Sequence, residues 1–515
     1  MTTQKQEIPQ PSGRWWTWVG PGAIVASLTI GAGELIFSTT AGALFRYDIL
    51  WFFLLTLVAK WVLVVATARS FVLTGVHPLE RWRALPGPPG WLLWIFLLLA
   101  VACFPVWVGF HAGTVGSLIA HVTGTSGAIH HAAHYVWGML ALALTMGLVF
   151  KGGYAVLERI QLAVVGLMLV LVLISLFLIH PDWGAMVRGL LFPTVPRYPD
   201  WISEYPAIAQ RPLWVEVITY VGVLGGSGYD YLAYVSYLRD KQWGRAGRTP
   251  LPSAAHLVSG ASRERAWLKV LYVDATVSFA AVLIFSLVFV ACGATILAPQ
   301  HKVPVGSNLL SLQAEFLTGI HPWLGPVYFV GAFLAMAGTL YGTIEVSPAI
   351  MRELLPLVGN GRQPDSAALR TGTVSWVAVG GFAVLGASVG WALLGHRGSP
   401  PLLVEILTPA NLFTGVLACG FISLLNPWIE RRALPEPLRM PVALRWAGLL
   451  SGLCFLALGF KAYADQGPRR AILMAVGTLL AGWACAVWAR RRAGSATPPG
   501  SGPNSTGDVT QESKL

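Results

Sequence analysis

The chain is expected to fold as an all-α polytopic membrane protein of about twelve spans, built from two five-span halves whose first helices are broken. Three observations predict this. Hydrophobic residues make up 55% of the 515 and charged residues only 11%, where soluble globular proteins carry about 25% charged residues. Apolar runs long enough to cross a bilayer recur from one end to the other, so they are not a single anchor. Two of these runs are irregular at mid-membrane: "LTIGAGELIF" around Gly31, Ala32, Gly33 and Glu34, and "VLGGSGYDYL" around Gly225, Gly226, Ser227, Gly228, Tyr229 and Asp230.

Taken in order, the candidate spans lie near 20–45, 49–74, 91–118, 135–150, 153–180, 213–238, 266–297, 323–349, 371–395, 402–426, 442–463 and 470–489. Residues 181–212 and 239–265 are the two long connections. Glycine inside a helix costs about 1 kcal/mol against alanine. Backbone that leaves the helix in lipid loses hydrogen bonds, and is tolerated only where protein or a cavity covers it. Gly-interrupted spans at matching places in two halves are the sequence mark of a transporter's binding site. That reading divides the chain into a tail (1–19), a first repeat of spans 1–5 (20–180), an outer loop (181–212), a second repeat of spans 6–10 (213–426), two peripheral spans (442–489) and a Pro/Gly/Ser-rich disordered tail (494–515).

The net charge of +12 would suggest nucleic acid in a soluble protein. Here Arg81 and Arg83, then Arg239, Lys241, Arg245 and Arg248, then Arg431 and Arg432, then Arg490, Arg491 and Arg492 gather in alternate connections and at the end of the last span. The positive-inside rule then predicts a multi-pass protein of the cell (inner) membrane with both termini cytoplasmic, and no nucleic-acid partner. The 22 tryptophans suit interfacial belts. Cys103, Cys292, Cys419, Cys454 and Cys485 stand singly in or beside apolar runs, so neither a disulfide frame nor a zinc site is expected. The opening "MTTQKQEIPQPSGRWWTW" has no apolar segment of a cleaved signal peptide.

The first span, "GPGAIVASLTIGAGEL", with "AGALFRYDILW" after it, resembles the opening of the Nramp (natural resistance-associated macrophage protein) family of divalent-metal transporters. "TARSFVLTGVHPLERW", "YAVLERI" and "GAFLAMAGTLYGTIEV" are similar to later parts of that family. The resemblance implies a LeuT-type 5+5 inverted repeat, alternating access around unwound spans 1 and 6, and no enzyme activity. The family holds metal through Asp-Pro-Gly-Asn in the first span and Ala-x-x-Met-Pro-His in the sixth. In this sequence Gly31 stands for the Asp, Ala32 for the Pro and Glu34 for the Asn, while Gly33 is matched. Gly226 falls at the carbonyl-donating Ala, Tyr229 at the Met, Asp230 at the Pro and Tyr231 at the His, with Ser236 at a second histidine. The acidic positions of the proton route fall on Phe104 and Trp107.

The substrate-binding candidates are therefore Gly31, Glu34, Gly226, Tyr229 and Asp230, with Ser227, Asn411 and Lys60 secondary. Losing the thioether removes the soft ligand, and two carboxylates suit hard cations. Magnesium keeps waters and binds through one or two carboxylates. The expected cargo is a hard divalent metal, Mg²⁺ or Mn²⁺, held by Glu34 and Asp230, with no cofactor; the expected partners are the bilayer and the ion. Magnesium-transporting relatives within the family also lack the usual proton route.

Two other classes are carried forward. Half-helix N-termini attract anions and substrate carboxylates, so a LeuT-type carrier of a small organic solute or anion is one. An intramembrane serine protease is the other, because "GGSG" matches G-x-S-G and His111 is the one histidine near membrane depth. "HHAAH" (His130, His131, His134) is a candidate metal collector in an outer loop. Lys60, Asp274, Glu345 and Glu405 are intramembrane charges with candidate gating or packing roles, and Glu158 with Arg159 reads as an ion pair.

Overall fold

The computed structural model describes residues 8–151, 154–251, 254–258, 262–304, 312–318, 321–359, 365–394 and 403–495. Helix occupies each predicted span. The second runs Leu50–Thr74, the third Trp91–Val122, the fourth Ala133–Lys151, the fifth Tyr154–Leu178 and the seventh Ala266–Cys292. The eighth is Leu324–Val358, the ninth Ser366–Leu393, the eleventh Val442–Gln466 and the twelfth Pro468–Ser495. Among the described residues, eight helices are by themselves long and apolar enough to cross a membrane. The sixth span is not among them because it is two shorter helices, Leu213–Val223 and Gly228–Lys241. Leu144, Leu148, Val379, Leu450 and Leu473 stand exposed on outer helices, as a lipid-facing surface requires.

The two irregular spans differ in kind. The sixth leaves the helix: Leu224 is extended, Gly225 and Gly226 take φ of +69° and +101°, and Ser227 is extended again before the second helix starts. Two consecutive left-handed residues are costly for anything but glycine. The first span is not unwound. It runs as α-helix over Pro21–Thr29, as π-helix over Ile30–Ser38, and as α-helix over Thr39–Phe45. Its glycines serve close approach instead. A Cβ on Gly31 would lie 2.3 Å from Thr339 Oγ1 and 2.9 Å from the Ala335 carbonyl oxygen of the eighth span. A Cβ on Gly33 would lie 3.0 Å from the Val223 carbonyl oxygen, where the sixth span ends its first half. Another π-helical segment, Leu412–Leu417, widens the tenth span between Leu403–Asn411 and Ala418–Ala433. There Gly415 packs on the Gly222 backbone of the sixth span.

Buried and half-buried ion pairs tie the ends of the spans together. Arg69 of the second span meets Glu430 of the tenth at 3.1 Å and donates to Tyr272 Oη and the Leu438 carbonyl. Arg239 at the end of the sixth meets Glu353 of the eighth at 2.9 Å, and Glu345 of the eighth pairs with Arg370 of the ninth. The long loop 181–212 is not structureless; it carries a helix at Trp183–Leu191 and short turns at Asp200–Glu204 and Pro206–Ala209. The tail before the first span packs on the seventh, with Ile8 buried and Trp267 Nε1 donating to the Pro9 carbonyl. Of the predicted disordered tail (494–515), Gly494 and Ser495 belong to the twelfth helix; the rest of it, and the Glu158 and Glu405 side chains, lie outside the described residues.

Candidate transport site at the break of the sixth span

A helix that stops inside a membrane leaves its last carbonyls and the next helix's first N–H groups without partners. In lipid these cannot turn to water. The break at Leu224–Ser227 is satisfied by side chains from three directions. Glu34, fully buried on the first span, accepts the Gly225 N–H through Oε1 at 3.2 Å. Asp230 accepts the Ser227 N–H through Oδ2 at 2.6 Å, capping its own helix from the third position. Tyr231 donates its hydroxyl to the Gly225 carbonyl at 2.7 Å and lies 3.1 Å from that of Gly226. Lys60, from the second span, places its ammonium among the remaining carbonyls.

Beside this break lies a small cavity of about 40 Å³ between the first, third, sixth, eighth and tenth spans. Asp230, Ser227 and Gly226 face it from the sixth span, Trp107 and His111 from the third, and Asn411 from the tenth. Thr29 and Thr343 complete its polar wall. The predicted candidates therefore divide. Asp230, Gly226, Ser227 and Asn411 line the cavity. Glu34 lies behind the break on Gly225 N–H, and Gly31 is taken up by the crossing with the eighth span. Tyr229 fills an aromatic cluster with Phe104 and Trp107 and donates to the Phe96 carbonyl at 2.6 Å. Glu34 and Asp230 thus each hold a different N–H of the break.

The hydrogen-bond roles around the cavity are fixed by what each group can do. Trp107 Nε1 can only donate, and it lies 3.2 Å from Asn411 Oδ1. The amide nitrogen of Asn411 is consequently the group left over, buried and without a hydrogen-bond partner among the described residues. Thr343 Oγ1 spends its proton on the Thr339 carbonyl at 2.8 Å, so His111 donates to it from Nδ1 at 3.1 Å. The cavity thus offers one carboxylate, hydroxyls, an imidazole and a spare amide N–H.

Thr29 and Thr343 escaped sequence reasoning. Both sit in helical runs where a threonine reads as packing, and the i+4 spacing of Thr339 and Thr343 was the available signal that these two share one face of the eighth span. His111 hydrogen-bonds to Thr343 rather than to Ser227, so the nucleophile–base pair of a serine protease is not formed. His130, His131 and His134 do not form a metal cluster; among the described residues no group of three or more His, Cys, Asp or Glu side chains is placed to hold a metal. His134 is instead buried at the start of the fourth span, its ring tilted against that of Tyr135 with centroids 3.9 Å apart.

Comparison with known proteins gives the wider context. The chain is 30% identical over 191 residues to the "divalent metal cation transporter MntH" of Latilactobacillus sakei, an overlap of 36% of this chain and 39% of that one. It is 31% identical over 184 residues to "metal transporter Nramp3" of Oryza sativa, covering 35% and 31%. These overlaps span well under two thirds of either relative. A mutant of the manganese transporter of Eremococcus coleocola superposes with a TM-score of 0.65 at 14% identity, over 94% of this chain and 97% of that one. At that identity the likeness shows the fold, the Nramp variant of the LeuT-type architecture. The sequence profile of the natural resistance-associated macrophage protein-like family, Nramp, matches residues 22–461, and the chain belongs to that family.

Proposed function

We propose that the protein is a secondary transporter that moves a small cation through the cavity at the sixth-span break by alternating access, with a hard divalent metal, Mg²⁺ or Mn²⁺, as its cargo. The observation that carries this is Asp230: its carboxylate faces the cavity in the middle of the bundle, among neutral polar groups and without a thioether. One carboxylate with neutral oxygens suits an ion that keeps part of its water shell, as Mg²⁺ does. The names of the similar proteins, divalent metal cation transporter and manganese transporter, support the same substrate class. The test is uptake into proteoliposomes. Mn²⁺ or Mg²⁺ flux that disappears in Asp230→Asn supports the reading; absence of flux for both ions sinks it.

A second reading is favoured by Asn411. Its spare amide N–H is a donor, and the waters around a cation present hydrogens outward, which want acceptors. A small organic solute with an amine for Asp230 and an oxygen for Asn411 would satisfy both ends. Uptake of amino acids by the same liposomes, with no metal flux, would select this reading.

A further inference from the structure

Lys60 carries a further inference, independent of which cargo the cavity takes. It lies on the second span, is fully buried, and its Nζ points into the break of the sixth. The ammonium is 2.7 Å from the Val221 carbonyl oxygen, 2.7 Å from that of Leu224, 2.5 Å from that of Gly226 and 3.4 Å from that of Gly222.

These are the carbonyls that the break strips of partners. The first half of the sixth span stops at Val223, so Val221 and Gly222 have lost the N–H groups four residues on. The end of a helix also carries partial negative charge, so a cation is favoured there. An ammonium has three protons and no acceptor. Four carbonyls surround it, which is the coordination of an ion rather than a set of three separate bonds. Half-helix ends and unwound carbonyls are also what broken transporter helices use to hold free cations.

We propose that the break is a monovalent-cation site whose occupant is the chain's own lysine. The tether keeps the cradle filled throughout the cycle, so no free Na⁺ or K⁺ is needed to hold the break together. It also withdraws the Gly226 carbonyl from the cargo, since that oxygen already serves Lys60 and Tyr231. Cargo in the cavity is then held by side chains, Asp230 first among them.

The test compares full-length wild type, Lys60→Ala and Lys60→Met in detergent, melted in choline, sodium, potassium and methylammonium chloride at one ionic strength. Wild type should melt at the same temperature in all four salts. Lys60→Ala should lose several degrees in choline and regain most of them, saturably, in sodium or methylammonium, because the alanine leaves room for a free ion. Lys60→Met fills that room with an uncharged stem and should stay low in every salt. Stabilisation of wild type by sodium or potassium over choline overturns the proposal. So does a Lys60→Ala protein that melts like wild type in choline, or one that no small cation restores. A Lys60→Ala protein that cannot be recovered folded in any of the four salts also overturns it, since a true cation site should accept a free replacement.

Discussion

The carboxylate of Asp274, on the seventh span, receives the Gly22 N–H at the start of the first span, with Oδ2 2.9 Å from the nitrogen. The same group accepts the Gly20 N–H at 2.8 Å and the Tyr234 hydroxyl at 3.0 Å, so one side chain joins the first, sixth and seventh spans. The first span is locked there by contact as well as charge: a Cβ on Gly22 would lie 2.3 Å from Ser278 Oγ. Asp274→Ala removes the acceptor for three donors. Each orphaned buried donor costs about 1–3 kcal/mol, so the variant should unfold at markedly lower denaturant. Asp274→Asn keeps one acceptor oxygen and should fall between the two, and a denaturant titration of the three proteins checks the order.

Asp230 holds two roles that a conservative change separates. It caps the second half of the sixth span and faces the cavity. An Asn side chain can still accept the Ser227 N–H through its amide oxygen, as the amide of Gln does from the third position of a capping box. Asp230→Asn should therefore keep a melting temperature within a few degrees of wild type while cation uptake falls at least tenfold. Asp230→Ala should lose both, since the Ser227 N–H then has no acceptor, at a cost of about 1–3 kcal/mol. A purely capping role would leave uptake intact in the Asn variant.

Gly31 tests whether the first span's glycines serve contact. The space for a Cβ is closed by Thr339 Oγ1 at 2.3 Å and the Ala335 carbonyl oxygen at 2.9 Å. Overpacking of this sort costs about 1–3 kcal/mol. Gly31→Ala should be destabilised accordingly, and adding Thr339→Ala should return part of the loss, leaving the share due to the Ala335 backbone. Residues in contact couple in this way, so a double-mutant cycle reads the effect directly. Additive losses would mean that Gly31 does not pack on Thr339.

Much of this architecture was legible in the residues. Gly225 and Gly226 announced the sixth-span break because positive φ is a property of the residue type itself. Gly31 and Gly33 announced an irregular first span, but glycine marks both backbone freedom and close approach, and only the neighbours decide which. Those neighbours, Thr339 and Val223, are distant in sequence. The winding of Ile30–Ser38 as π-helix has no residue signature. Glu34 and Lys60 were visible as buried charges, yet their partners are backbone groups on the sixth span, more than 150 residues away, which no side-chain pattern encodes. Asn411 was found through family resemblance. Thr29 and Thr343 were not found, since a small polar residue in a membrane helix ordinarily packs or bonds to its own backbone.

His77 gives a pH prediction in the loop after the second span. It is buried, caps a short helix at Pro78–Trp82 by accepting the Leu79 N–H at 3.3 Å, and lies 3.5 Å from Ser236 Oγ. Burial pushes its imidazole down from 6.5 to about 4; nearby Glu353 opposes this, and Arg239 and Arg352 add to it. The unfolded chain therefore binds a proton over a window where the folded protein does not. Stability rises with pH wherever the unfolded state holds more protons. The His77 contribution should be complete above about pH 6.5 and be lost progressively as pH falls towards about 4. His77→Asn retains an acceptor for Leu79 N–H but cannot titrate. The gap between the two melting curves should accordingly shrink as pH is lowered through that window, and a gap that does not change with pH would show that His77 is not held neutral.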